Sequence, residues 1–126
     1  MNIKEIKNLF INTLNPLGYG TPRLQGSFRE DEEYPESFIT FFIVDAPDLS
    51  FYDNKAKCKA VYINANFYSS DPELVNTVPE KIIEKLEAVG FIKQGNGADI
   101  LSDYATHTGW TLNFIYKENL SIKKED

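Results

Sequence analysis

The sequence predicts an α+β fold: a two-layer domain in which a mostly antiparallel sheet of about four to five strands carries two helices on one face. Three observations lead there. Two stretches repeat apolar residues at helical spacing, and several others alternate apolar and polar residues with the period of a strand. Most links between them are shorter than a parallel crossover requires, which favours antiparallel pairing. Residues 1–120 read as a single domain and 121–126 as a solvated tail, with no internal repeat or linker between them.

Ile3, Ile6, Leu9, Phe10, Thr13 and Leu14 form one face of a first helix from Asn2 to Leu14, and Asn15-Pro16 stops it. Arg23 to Phe28 suits a short strand. Arg29 to Glu36 holds five carboxylates in eight residues and ends in a proline turn, so it reads as an exposed loop. Ser37 to Asp45, rich in Phe and Ile, reads as a strand covered on both faces or central in the sheet. Phe51 to Lys59 reads as a loop or strand extension in which Asp53 and Asn54 set a turn. From Ala60 to Tyr68 alternation is clear: Val61, Ile63, Ala65 and Phe67 face the helices, while Tyr62, Asn64, Asn66 and Tyr68 form a semi-polar face.

Asp71-Pro72-Glu73 starts a second helix, since Asp71 caps free amides and Pro72 lacks the amide that would go unsatisfied. Its stripe runs through Leu74, Val75, Val78, Ile82, Ile83, Leu86 and Val89 to the stop at Gly90, and Pro79 is expected to kink or split it near Val78. Phe91 to Lys93 is extended, Gly95-Asn96-Gly97 turns, and Ile100 to Tyr104 pairs before a turn at Thr108-Gly109. Trp110 to Lys117 closes the sheet, with Trp110, Leu112, Phe114 and Tyr116 on one face and Thr111, Asn113, Ile115 and Lys117 on the other.

With 13 basic and 19 acidic residues, the chain carries a net charge of −6, which argues against a broad nucleic-acid surface. No apolar run approaches the roughly 20 residues of a membrane span, and the N-terminus lacks the apolar core of a signal peptide. Neither a membrane partner nor secretion is expected. One cysteine, Cys58, and one histidine, His107, leave no disulfide and no Cys/His zinc set. His107 reads as an exposed turn residue rather than a catalytic base, and Cys58 as a plain strand residue despite three neighbouring lysines. The acidic loop lacks the spacing of a calcium loop, and neither Gly-containing turn opens a phosphate-binding helix. No catalytic, cofactor or metal residue is expected, and the chain does not read as an enzyme. The tyrosines beside asparagines on the semi-polar face, Tyr62 and Tyr68, fit burial at a subunit interface better than base stacking.

The run Tyr34-Pro35-Glu36-Ser37-Phe38-Ile39-Thr40-Phe41-Phe42 is followed by Leu49-Ser50-Phe51-Tyr52-Asp53-Asn54-Lys55, then by Val61 to Glu73. Together these resemble the small tail-completion, or tail-terminator, proteins of siphophages and prophages of Gram-positive bacteria. In that family a proline-containing segment leads into a first long strand, an Asp-Asn pair precedes a second, and a helix, a glycine and two closing strands follow. The order holds from about Ile3 to Tyr116. Tyr52 stands where the family commonly has a small residue, and Ser69 where it has threonine.

The resemblance implies a structural phage-morphogenesis protein without catalysis. It would form a homohexameric ring that caps the tail tube and joins the head, with itself, the tail-tube protein and the head-completion protein as partners. Its place would be the virion tail, and the bacterial cytoplasm during assembly. Candidate subunit or partner contacts are Glu32 and Glu33 of the acidic loop, Tyr52, Asp53 and Asn54, and Tyr62 and Tyr68. The other class that fits the acidic balance is a protein-binding module, such as a toxin-neutralising immunity-like protein.

Overall fold

The computed structural model describes residues 2–27, 33–46, 48–52, 55–100 and 106–119. Helix α1 spans Ile3–Leu14 and opens on a reciprocal cap: the Asn2 side chain accepts from the Glu5 amide at 2.8 Å, and the Glu5 carboxylate accepts from the Asn2 amide at 2.9 Å. Strands β1 (Arg23–Leu24), β2 (Ser37–Asp45), β3 (Asp48–Tyr52) and β4 (Lys55–Ser69) follow, then α2 (Pro72–Glu87) and strands β5 (Phe91–Lys93), β6 (Ala98–Ile100) and β7 (Thr108–Asn119). Asp71 caps α2 by accepting from the Glu73 amide at 3.0 Å. Ser69, fully buried, holds that cap in place by accepting from the Asp71 amide at 3.0 Å and bonding Ser37 across the sheet at 2.9 Å.

The fold is α+β, and the sheet is antiparallel except for the short β1–β2 pair. Five strands cross it in the order β1-β2-β4-β7-β5, while β3 pairs with β4 and β6 with β7. At 15 residues, β4 is the spine, about 50 Å long at the usual rise of a strand. Both helices lie on one face. Ile6, Phe10 and Leu14 of α1 and Val75, Val78, Ile82 and Leu86 of α2 close on Ile39, Phe41, Val61, Ile63, Ala65, Phe67, Leu112 and Phe114. Phe10 meets Phe41 at 4.6 Å between ring centroids and the edge of Phe91 at 6.1 Å, which joins α1 to both sides of the sheet. Residues Val61, Ile63, Ala65 and Phe67 therefore occupy the helix-facing side, as their spacing predicts.

Four local expectations are corrected. Helix α2 runs unbroken through Pro79, which is buried; a proline forfeits only its own intrahelical amide bond there. Thr108-Gly109 is not a turn but the start of β7, because Tyr68 and Ser69 pair with these two residues and extend the strand. Strands β5 and β6 do not pair with each other across Gly95-Asn96-Gly97. Both pair with β7 in succession, at Phe91↔Tyr116 and Ala98↔Thr111, so the glycines form a bulge in one edge strand. Gly95 and Gly97 hold φ of +77° and +88°, and the Trp110 indole nitrogen donates to the Asn96 carbonyl at 3.2 Å, which fixes the bulge against the sheet. The fourth correction, to β2, is partial: the strand lies between β1 and β4 and Phe38 to Phe41 are buried on both faces, as expected, but its second half opens, with Phe42 and Val44 exposed. The expected extension at Phe51 to Lys59 is met by β3 and β4, which pair as far as Tyr52↔Lys55. The tail 121–126 and Leu101–Tyr104 lie outside the described residues.

Candidate functional site

Among the described residues no helix lies on the second face of the sheet, and this open face is built from the alternate residues of β2, β4 and β7. The pairings Phe38↔Tyr68, Thr40↔Asn66 and Phe42↔Asn64 place these side chains together, and Asn66↔Thr111, Asn64↔Asn113 and Tyr62↔Ile115 continue the face across β7. Ile92 of β5 joins it opposite Ile115.

Three zones follow one another along the strands. At one end Tyr34 stacks on Phe38 with centroids 6.0 Å apart, Phe38 on Tyr68 at 5.0 Å, and His107 lies 5.6 Å from Phe38. His107 is buried rather than exposed in a turn. Its Nε2 bonds the Pro35 carbonyl at 2.7 Å and its Nδ1 bonds the Thr106 hydroxyl at 2.9 Å, so the ring pins the chain entering β2 onto the end of β7.

The middle is a ribbon of amides and hydroxyls. Thr40 donates to the Gln25 side chain, Asn66 donates to Asn64 Oδ1 at 2.7 Å, and Asn64 donates to Thr111 Oγ1 at 2.8 Å and Asn113 Oδ1 at 3.0 Å. Thr40 at 0% and Asn66 at 6% exposure are buried, and among the described residues no buried side-chain nitrogen or oxygen lacks a partner.

The far end is apolar and open. Phe42, Val44 and Ile92 are 40%, 58% and 49% exposed. Val44 also lines a groove of about 320 Å³ together with Asp45, Tyr62, Ile63, Gln94, Asn113 and Phe114. A bulge between Ile43 and Asp45 turns the end of β2 over this groove. Charges sit on the rim of the face, Arg23 beside Thr40, Asp45 opposite Tyr62 and Lys117 opposite Ala60, while its centre carries none. An uncharged, aromatic-bearing centre within a charged rim is the anatomy of a protein contact surface.

Of the residues singled out in the sequence, Tyr62 lies half-buried in the lining of this groove and Tyr68 is 4% exposed beneath Phe38, so Tyr62 has the surface to offer a partner. Glu33 is exposed next to Tyr34, near the aromatic end. Tyr52 closes β3 opposite Lys55. Glu32, Asp53 and Asn54 lie outside the described residues. Thus only Tyr62 and Tyr68 share one surface. Sequence reasoning missed Phe42, Val44 and Ile92, although the apolar positions of β2 on the Asn64 side were a usable signal.

A second groove of about 320 Å³ separates α2 from the β5–β6 bulge, with Pro79, Glu80, Ile83, Lys93, Asn96 and Trp110 among its lining. Lys93 Nζ bonds Asn96 Oδ1 there at 3.0 Å. Among the described residues no three His, Cys, Asp or Glu side chains gather as a metal site, and no helix is long and apolar enough to cross a membrane. No protein-family model matches the sequence, and no curated protein matches it.

Proposed function

We propose that this chain works by protein contact rather than by catalysis, as a tail-terminator-like assembly protein that caps a siphophage tail tube and joins it to the head. The observation that carries the contact reading is the open face, with Phe42, Val44 and Ile92 exposed around an uncharged centre. The order of motifs from Tyr34 through the α2 cap supports the tail assignment, and the negative charge suits a ring around a channel through which DNA passes without adhering. On this reading the partners are other copies of the chain in a hexameric ring, the tail-tube protein and the head-completion protein. The protein resides in the host cytoplasm during assembly and then in the virion tail.

The direct test is multi-angle light scattering of the purified protein at low and high salt, followed by co-sedimentation with purified tail tubes. Self-association strengthened by salt, which screens the repulsion between subunits of charge −6, and retention on tubes are the expected results. A monomer at every salt concentration that also fails to bind tubes would sink the terminator reading. It would favour the acidic module that binds a basic protein.

A further inference from the structure

We propose that Asn96 is a site of spontaneous deamidation, where the chain cyclises through a succinimide and reopens mainly as isoaspartate, so that the bulge between β5 and β6 changes as the protein ages. The inference goes beyond the reading of the open face and holds whatever partner that face takes.

The sequence supplies the reactive pair. Asn96-Gly97 is the one Asn-Gly step in the chain, and every other asparagine precedes a residue with a side chain. A glycine in that position leaves the attacking amide nitrogen unshielded. The fold requires this glycine. Gly97 holds φ of +88°, and a Cβ on it would collide with the Thr111 carbonyl oxygen and with Trp110 Nε1. Only position 96 is free to vary, so the lability is built into the bulge.

Three placements favour the reaction. First, Asn96 and Gly97 are both exposed, and among the described residues no hydrogen bond engages the Gly97 amide. Second, Lys93 Nζ donates to Asn96 Oδ1 at 3.0 Å. It draws electrons from Cγ and stabilises the oxygen that becomes anionic when Cγ is attacked. Third, Trp110 Nε1 donates to the Asn96 main-chain carbonyl at 3.2 Å. That carbonyl shares its peptide bond with the Gly97 nitrogen, so the indole makes the Gly97 N–H easier to deprotonate. One donor activates the carbon that is attacked, and the other activates the nitrogen that attacks.

Water is the only co-reactant. The Gly97 nitrogen loses its proton and bonds to Asn96 Cγ; the Cγ–Nδ2 bond breaks, and the amide leaves with that proton as ammonia. Water then opens the imide. Its hydroxyl adds to the main-chain carbonyl carbon of Asn96, its other hydrogen goes to the Gly97 nitrogen, and the chain continues through Cγ as isoaspartate. Opening at Cγ instead gives aspartate. In isoaspartate the main chain is longer by a methylene, the protein gains a negative charge, and the group facing Trp110 turns from a peptide carbonyl into a free carboxylate. The groove beside α2, which Lys93, Asn96 and Trp110 line, changes with it.

The full-length protein, aged in neutral buffer, digested and read by mass spectrometry beside a free peptide from Phe91 to Ile100, provides the test. Expected are a gain of about 1 Da confined to the fragment that holds Asn96, isoaspartate as the major product in an isoaspartyl-methyltransferase assay, and a rate no slower than the peptide's. Lys93→Met slows the folded chain about fivefold and leaves the peptide unchanged. Trp110 is the sole tryptophan, so its emission reports on the bulge. It shifts in step with conversion in wild type and stays constant in Asn96→Gln, whose longer side chain cyclises far more slowly. Circular dichroism checks that both variants are folded; if Lys93→Met unfolds, the comparison of wild type with the peptide still decides. A folded chain slower than the peptide by about tenfold or more overturns the proposal, because the bulge then holds the Gly97 nitrogen away from Cγ. Aspartate without isoaspartate overturns the succinimide route, and an unchanged rate in folded Lys93→Met overturns the part given to Lys93.

Discussion

Alternate residues of β4 live in different surroundings. Val61, Ile63, Ala65 and Phe67 enter a core sealed by both helices, whereas Tyr62, Asn64 and Asn66 look out on a face where, among the described residues, no helix packs. On the covered face burial comes from above, from the apolar stripes of α1 and α2. On the open face Thr40 and Asn66 are buried as well, and their polar groups are satisfied by neighbouring amides and hydroxyls. The lesson is that one strand serves two ends. Its odd positions carry the free energy of folding, and its even positions hold a polar, geometrically fixed surface that costs little to dock against because it is already ordered.

The contrast is broken most severely from the covered side. Phe67→Ala removes a ring that is 1% exposed and meets the edge of Tyr19 at 5.3 Å, and should cost about 3 to 5 kcal/mol in a urea melt. A loss under about 1 kcal/mol would mean that the sheet packs on the helices through its other face.

The amide ribbon comes next. Asn66→Leu keeps the volume but deprives Thr40 and Asn64 of a partner, and a loss of about 2 kcal/mol is expected in the same melt. A neutral result would show that water replaces the ribbon without penalty and that the open face is no more ordered than ordinary surface.

His107→Ala removes the bond to the Pro35 carbonyl, at an expected cost of about 1 kcal/mol. Hydrogen exchange should show faster opening of the amides at the start of β2, with β7 beyond Trp110 unchanged. Uniform protection in the variant would deny the latch.

Smallest of all is Ile92→Thr, at a site 49% exposed. At dilute protein its stability should stay within about 0.5 kcal/mol of wild type. A larger loss would place Ile92 in the folding core and blur the distinction between the faces.

How far the sequence could be read follows the range of the forces involved. The period of two in Val61 to Tyr68, the Asn2 and Asp71 caps and the stripe of α2 are local, so helices α1 and α2 and the long strands were legible to within a few residues. The bulge at Gly95 to Gly97 was not. A Gly-Asn-Gly run signals a change of direction, but whether it folds a hairpin or bulges an edge strand depends on which strand its flanks meet. His107 was misread for the same reason, since its burial comes from Tyr34, Pro35 and Phe38, some 70 residues earlier in the chain.

By itself, then, the sequence determined the α+β class, one apolar face for each helix and the polarity of each side of β4, because hydrophobic periodicity and capping act over a turn or a pleat. The tertiary structure alone decided that β4 stands between β2 and β7, that Gln25, Thr40, Asn66, Asn64 and Thr111 join into one ribbon, and that Val44, Asp45, Tyr62, Gln94 and Asn113 line one groove. Those neighbours come from distant segments, and only strand pairing in a fixed register brings them to the same surface.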